Sequence, residues 1–172
     1  AYFRPDAIRA ILTGYADDIG QALTWFDAEV TRAHTLGRSS DMALLSLVGI
    51  PLAALHGDRD LMERWVAAGR DGAGDIGSSM LVTLSQRLCE LSLLMHTCDR
   101  TDESVRKVRD GALELTYRCE QSGNAYLMLW LPAWVGAFEV AIGNAEGALT
   151  WLEPLLELAE TPDVPFEPSG LT

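Results

Sequence analysis

The chain has 172 residues, 48% of them hydrophobic and 22% charged, which is enough for a continuous core and too apolar for a disordered segment. Acids outnumber bases 25 to 13, giving a formal charge of −12, and no run of Lys or Arg exceeds two residues. Phosphate backbones would be repelled, which argues against nucleic-acid binding by this segment.

Pro5 is a favourable first helical residue, because its missing N–H would be unpaired there anyway, and Asp6 suits the positive end of the helix dipole. A short helix to about residue 15 turns at Ala16, Asp17 and Asp18 into a second helix over about 19–36. Leu23, Phe26, Val30 and Ala33 form the apolar stripe of that second helix, and Gly37 ends it. Ser39, Ser40 and Asp41 offer N-caps for a third helix over about 42–55. Its dense apolar sequence implies neighbours on more than one side, and Pro51 should bend it. After Gly57 and Asp58 a partner helix begins near Asp60 with Leu61, Trp65 and Val66 inward. The small and turn-forming residues of RDGAGDIGSS predict that it is short or frayed.

Leu81, Leu84, Leu88, Leu91 and Met95 step by three and four, as do Val105, Val108, Ala112, Leu115 and Cys119. Two such stripes predict helices packed face to face, the second capped by Thr101, with Asp102 and Glu103 in its first turn and Gly123 at its end. The next helix opens at Asn124 and carries Tyr126, Leu127, Trp130, Leu131, Trp134, Val135 and Phe138 around Pro132. The last helix, about 145–159, holds Pro154 well inside, where a kink is expected. Pro162, Pro165 and Pro168 stop regular structure beyond it, and nothing reads as a strand.

Residues 22–27 read ALTWFD and residues 148–153 read ALTWLE, each four residues after a turn-like Asp18 or Asn144. Anchoring on Asp18, Asp58, Arg100 and Asn144 gives spacings of 40, 42 and 44 residues, a period typical of stacked helical hairpins. The expected fold is all-α, with hairpins over about 5–37, 40–77, 79–123 and 124–160 in a single domain 1–172 and a Pro-rich tail at 161–172. Trp25, Trp65 and Trp151 each lie seven residues after their anchors, while Lys107 breaks the pattern in the third repeat.

Candidate chemistry is sparse. Residues 72–77 match G-x-G-x-x-G, but a helix precedes them where a dinucleotide site needs a strand. No G-x-x-x-x-G-K-[ST] sequence occurs. Cys89, His96 and Cys98 lack the spacing and number of a zinc site, and Asp17-Asp18 reads as a hairpin turn. Glu153, Glu157 and Glu160 form an acidic stripe of the solvated kind. The sharper candidates are Tyr126, Trp130 and Trp134, spaced by four on the first helix of a hairpin, where stacking against a sugar or a peptide is conceivable. Gln86, Arg87 and Glu90 occupy the corresponding polar face of the third hairpin. No catalytic residue, metal site or cofactor is expected in this segment, and the chain does not read as an enzyme.

Three cysteines without disulfide-rich spacing, no apolar leader, and no run near the roughly 20 apolar residues that span a bilayer point to a cytoplasmic protein. The missing initiator Met and the loop-like ending PDVPFEPSGLT give the look of a piece excised from a longer protein.

With Gly143-Asn144, Ala148-Leu149, Leu152-Glu153-Pro154 and Pro165-Phe166-Glu167-Pro168, the chain resembles the helical-repeat region of large ATP-dependent LuxR-type transcriptional regulators, the MalT-like class. The resemblance implies a right-handed α-solenoid, a tetratricopeptide-like superhelix acting as a non-catalytic sensor of a small inducer or a protein partner on its concave face. ATP would then belong to a separate domain, DNA binding to another, and the partners would be neighbouring domains, an inducer or a protein, without membrane contact. The alternative is a general protein-protein adaptor. The chain departs from the family pattern at RDGAGDIGSS and at Lys107.

Overall fold

The computed structural model describes residues 5–16, 18–74, 80–123 and 125–160, and all the regular structure within them is α-helical. In chain order the helices are α1 (Pro5–Ala16), α2 (Ile19–Thr35), α3 (Ser39–His56), α4 (Arg59–Gly74), α5 (Met80–Thr97), α6 (Asp102–Ser122), α7 (Ala125–Ala141) and α8 (Ala145–Glu160). No strand occurs among the described residues. The tail from residue 161, Asp17, Asn124 and residues 75–79 lie outside them. The chain divides into two compact units with the boundary inside α6, after Gly111.

In the first unit α3 is the centre, packing against α1, α2, α4 and α5. Its sequence explains why: Met42, Ala43, Leu47, Ile50, Leu52 and Ala53 are all buried, on more than one side of the helix. Pro51 stays inside a continuous helix. Ser39, Ser40 and Asp41 do not occupy the cap position. Arg38 does, without a side-chain cap bond, and Asp41 sits in the first turn, where its charge suits the dipole.

α4 runs for 16 residues to Gly74, into the first half of the glycine-rich stretch that predicts fraying; the second half lies outside the described residues. Leu61, Met62, Trp65 and Val66 are buried, and that burial outweighs roughly 1 kcal/mol per interior glycine. Gly49 of α3 makes room for the packing, since a Cβ there would stand 2.5 Å from the Trp65 ring.

Four residues begin the second helix of each pair in the same way. Asp18 accepts from the Gln21 N–H at 2.8 Å, Asp58 from Leu61 at 3.0 Å, Thr101 from Ser104 at 3.3 Å and Asn144 from Gly147 at 3.2 Å. Gly57, Arg100 and Gly143 precede the last three with φ of 79°, 63° and 83°. Arg100 is therefore the left-handed residue of its turn, and Thr101 is the repeat anchor. The spacings become 40, 43 and 43 residues. The interruption at Lys107 disappears with this shift, because the residue seven beyond Thr101 is Val108, which is fully buried.

In the second unit α7 packs against α8. Leu127, Leu131, Val135 and Phe138 form the buried stripe of α7. Gly136 lets the Leu152 side chain approach to 2.7 Å of where a Cβ would be. Val105, Val108, Ala112, Leu115 and Cys119 of α6 are buried as their spacing requires. Pro132 and Pro154 lie inside helices.

Candidate functional site

The aromatic candidates lie on α7, beside its buried stripe. Trp130 is 40% exposed and Trp134 half-buried, with ring centroids 6.3 Å apart and planes at 67°. That is an edge-to-face pair, which leaves part of the Trp130 surface open to a further ring, sugar or apolar side chain. Tyr126 falls within α7, and its side chain lies outside the described residues.

Gln86, Arg87 and Glu90 lie in the first unit, on α5, where they join that helix to α4. Gln86 is buried and donates to the Val66 carbonyl at 3.0 Å and to Glu90 at 3.3 Å. Its amide rests against Gly69, where any Cβ would collide with it. Glu90 accepts from Arg70 of α4 at 2.7 Å and from Arg87 at 3.1 Å. Partial burial alone would raise the Glu90 pKa, but hydrogen bonds from Arg70 and Gln86, with the charges of Arg70 and Arg87, hold it below the usual glutamate range. The two candidate groups thus fall in different units.

The remaining candidates have structural surroundings. Burial, and then the Glu90 charge, push the Cys89 thiol strongly up, which suits a core residue and opposes a nucleophile. Cys98 sits 3.3 Å from the Ser104 hydroxyl, and His96 is exposed. No group of three or more metal-ligating side chains occurs among the described residues. Residues 72–74 of the glycine motif end α4, and the rest of that motif lies outside the described residues. Asp99 is held down to about 2 by the Ser104 hydroxyl, then the Thr101 N–H and hydroxyl, so it serves the turn before α6. Glu153 is exposed, and the Glu157 and Glu160 side chains lie outside the described residues.

A surface that motif reasoning passes over emerges on α8. Leu149 and Leu156, seven residues apart, are 61% and 57% exposed, and Trp151, Leu152 and Leu155 are half-buried. Among the described residues no helix long and apolar enough to cross a membrane occurs. From Cys119 to Thr172 the sequence holds eight carboxylates and no Lys, Arg or His. The signal was present in the sequence as the second copy of ALTW, whose leucines need a cover that the first copy has. No family model, curated protein or solved structure matches the chain.

Proposed function

We propose that the chain is a non-catalytic sensor and interaction module of a cytoplasmic transcriptional regulator, with its hairpins stacked as a right-handed tetratricopeptide-like solenoid. The observation that supports this reading best is the Trp130–Trp134 edge-to-face pair on α7, with Trp130 40% exposed. Such a pair offers a stacking surface to the face of a sugar or to an apolar peptide side chain. A ligand that favours one arrangement of the hairpins biases a neighbouring switch domain by its difference in affinity for the two states. The LuxR-type resemblance of the turn and Leu-Glu-Pro elements supports the same assignment. ATP and DNA then belong to other domains.

Thermal unfolding of the protein against neutral sugars, metabolites and short peptides tests it, since a ligand that binds only the folded state raises Tm. The expected result is a specific shift with one compound that Trp130→Ala removes while the helical circular dichroism is retained. Unchanged shifts in Trp130→Ala would move the ligand away from α7. A general adaptor is the second reading, favoured by a sequence with eight carboxylates and no Lys, Arg or His from Cys119 onward, and it predicts shifts with basic peptides alone.

A further inference from the structure

The two ALTW copies begin alike down to single hydrogen bonds. Thr24 donates to the Gly20 carbonyl at 2.9 Å, and Thr150 donates to Glu146 at 3.0 Å, each six residues past its cap. Ala22 and Ala148 are both buried. Further along, the copies part. In α2 the residues five, eight and twelve past the cap are Leu23, Phe26 and Val30, all buried, whereas in α8 they are Leu149, Leu152 and Leu156, exposed or half-buried.

What covers the face on α2 is the helix pair that follows it, α3 and α4. Trp65 of α4 lies against Phe26, ring centroids 6.3 Å apart, and donates its indole N–H to Asp27 at 2.9 Å. Arg64 reaches the other Asp27 oxygen at 3.5 Å. Asp27 stands nine residues past Asp18, and nine past Asn144 stands Glu153, an exposed carboxylate. The α8 face therefore repeats both halves of the receptor, the apolar strip and the acceptor for an Arg-Trp pair. A Glu has one more methylene than Asp and reaches a donor set slightly further out.

We propose that α8 is a docking surface for a helix of a partner protein, and that this helix is basic and presents an Arg-Trp pair, lying on Leu149, Leu152 and Leu156 much as α4 lies on α2. The Trp indole donates to Glu153, and the cationic side chains suit the exposed Glu146 and Glu153 of a helix whose sequence region, from Cys119 onward, holds eight carboxylates and no Lys, Arg or His. The same charge opposes pairing of two copies through this face, since like-charged surfaces repel. The residues altered here, Leu149, Glu153 and Leu156, are other than Trp130 and Trp134, so the two readings are tested by different variants.

The probe is a fluorescent, helix-stabilised peptide with the sequence of residues 58–70, carrying Asp60→Lys and Glu63→Lys to make its outer side basic. The intact protein is titrated against it by fluorescence anisotropy. The expected result is saturable binding that weakens by at least about tenfold in the Leu149→Lys, Leu156→Lys protein and in a Trp65→Ala peptide, as loss of a buried anchor does. Glu153→Gln should weaken it severalfold with no change in thermal unfolding. Both leucines are more than half exposed, and circular dichroism of the double variant confirms its fold. Absence of binding, equal binding of the Trp65→Ala peptide, or equal binding by the double variant overturns the proposal. So does a dimer in sedimentation equilibrium that Leu156→Lys dissociates, which would make a second copy the occupant. Loss of peptide binding with the Trp130-dependent ligand shift intact removes this surface and leaves the α7 reading standing.

Discussion

Helices α2 and α8 carry the same four-residue core, Ala-Leu-Thr-Trp, and the same kind of cap, yet one is sealed inside the first unit and the other shows its leucines to solvent. Leu23 and Val30 are 4% and 2% exposed, against 61% and 57% for Leu149 and Leu156. The lesson is that an amphipathic sequence specifies a face and leaves its cover to whatever arrives from elsewhere in the chain or from a partner. On α2 the cover is the following pair, which brings Trp65 to Asp27 and Phe26.

The largest expected difference between the copies is in stability. Phe26→Ala should cost about 3–5 kcal/mol in urea unfolding, because it opens a cavity among Leu23, Val30, Met62 and Trp65. Leu156→Ala, at the exposed position, should stay within about 0.5 kcal/mol of the unaltered protein. Equal losses at the two sites would mean that the α8 face is covered in solution, and the comparison would fail.

The caps should behave alike. Asp18→Ala and Asn144→Ala each remove an acceptor for the N–H three residues on, and each should cost about 1 kcal/mol. A much larger loss for Asn144→Ala would single out its second bond, the one its amide makes to buried Glu139 at 2.7 Å.

The smallest effect concerns the position twelve past the cap, which is Val30 in α2, Leu156 in α8 and Arg70 in α4. Only α4 uses charge there, pairing with Glu90 of α5 at 2.7 Å. Glu90 has its folded pKa below the ordinary 4.5, so its contribution is complete above that value and is lost as pH falls through the lowered one. Glu90→Gln should therefore lower stability at neutral pH by up to about 1 kcal/mol and flatten part of the acid limb below about pH 4.5, the two profiles meeting once Glu90 is protonated. An unchanged acid limb would show that the joint of α4 and α5 does not depend on that ion pair.

Much of the architecture was visible in the residues. Stripes such as Val105, Val108, Ala112, Leu115 and Cys119 gave helices whose buried sides are those the spacing requires. Thr101 is legible as a cap, but anchoring the third repeat on Arg100 places it one residue early, since Arg100 takes the left-handed turn position that Gly57 and Gly143 hold elsewhere. Within α4 the helix continues to Gly74 despite the low propensity of its glycines, anchored by the buried Leu61, Met62, Trp65 and Val66, while residues 75–79 lie outside the described residues. At the candidate site, spacing put Trp130 and Trp134 together, and their rings do meet. Spacing also grouped Gln86 with Glu90, but it had no means of finding Gly69, whose missing side chain admits the buried amide.

What the sequence determined by itself is therefore local: the helical character, the caps at Asp18, Asp58, Thr101 and Asn144, and the apolar face of each helix. These follow from contacts within about four residues along the chain, which any copy of the same segment repeats. Which of two matching faces is buried was decided only by tertiary structure, because Phe26 meets Trp65 across 39 positions of chain. Among the described residues Leu149 and Leu156 stay more than half exposed, and solvent exposure of an apolar face is the physical mark of that difference.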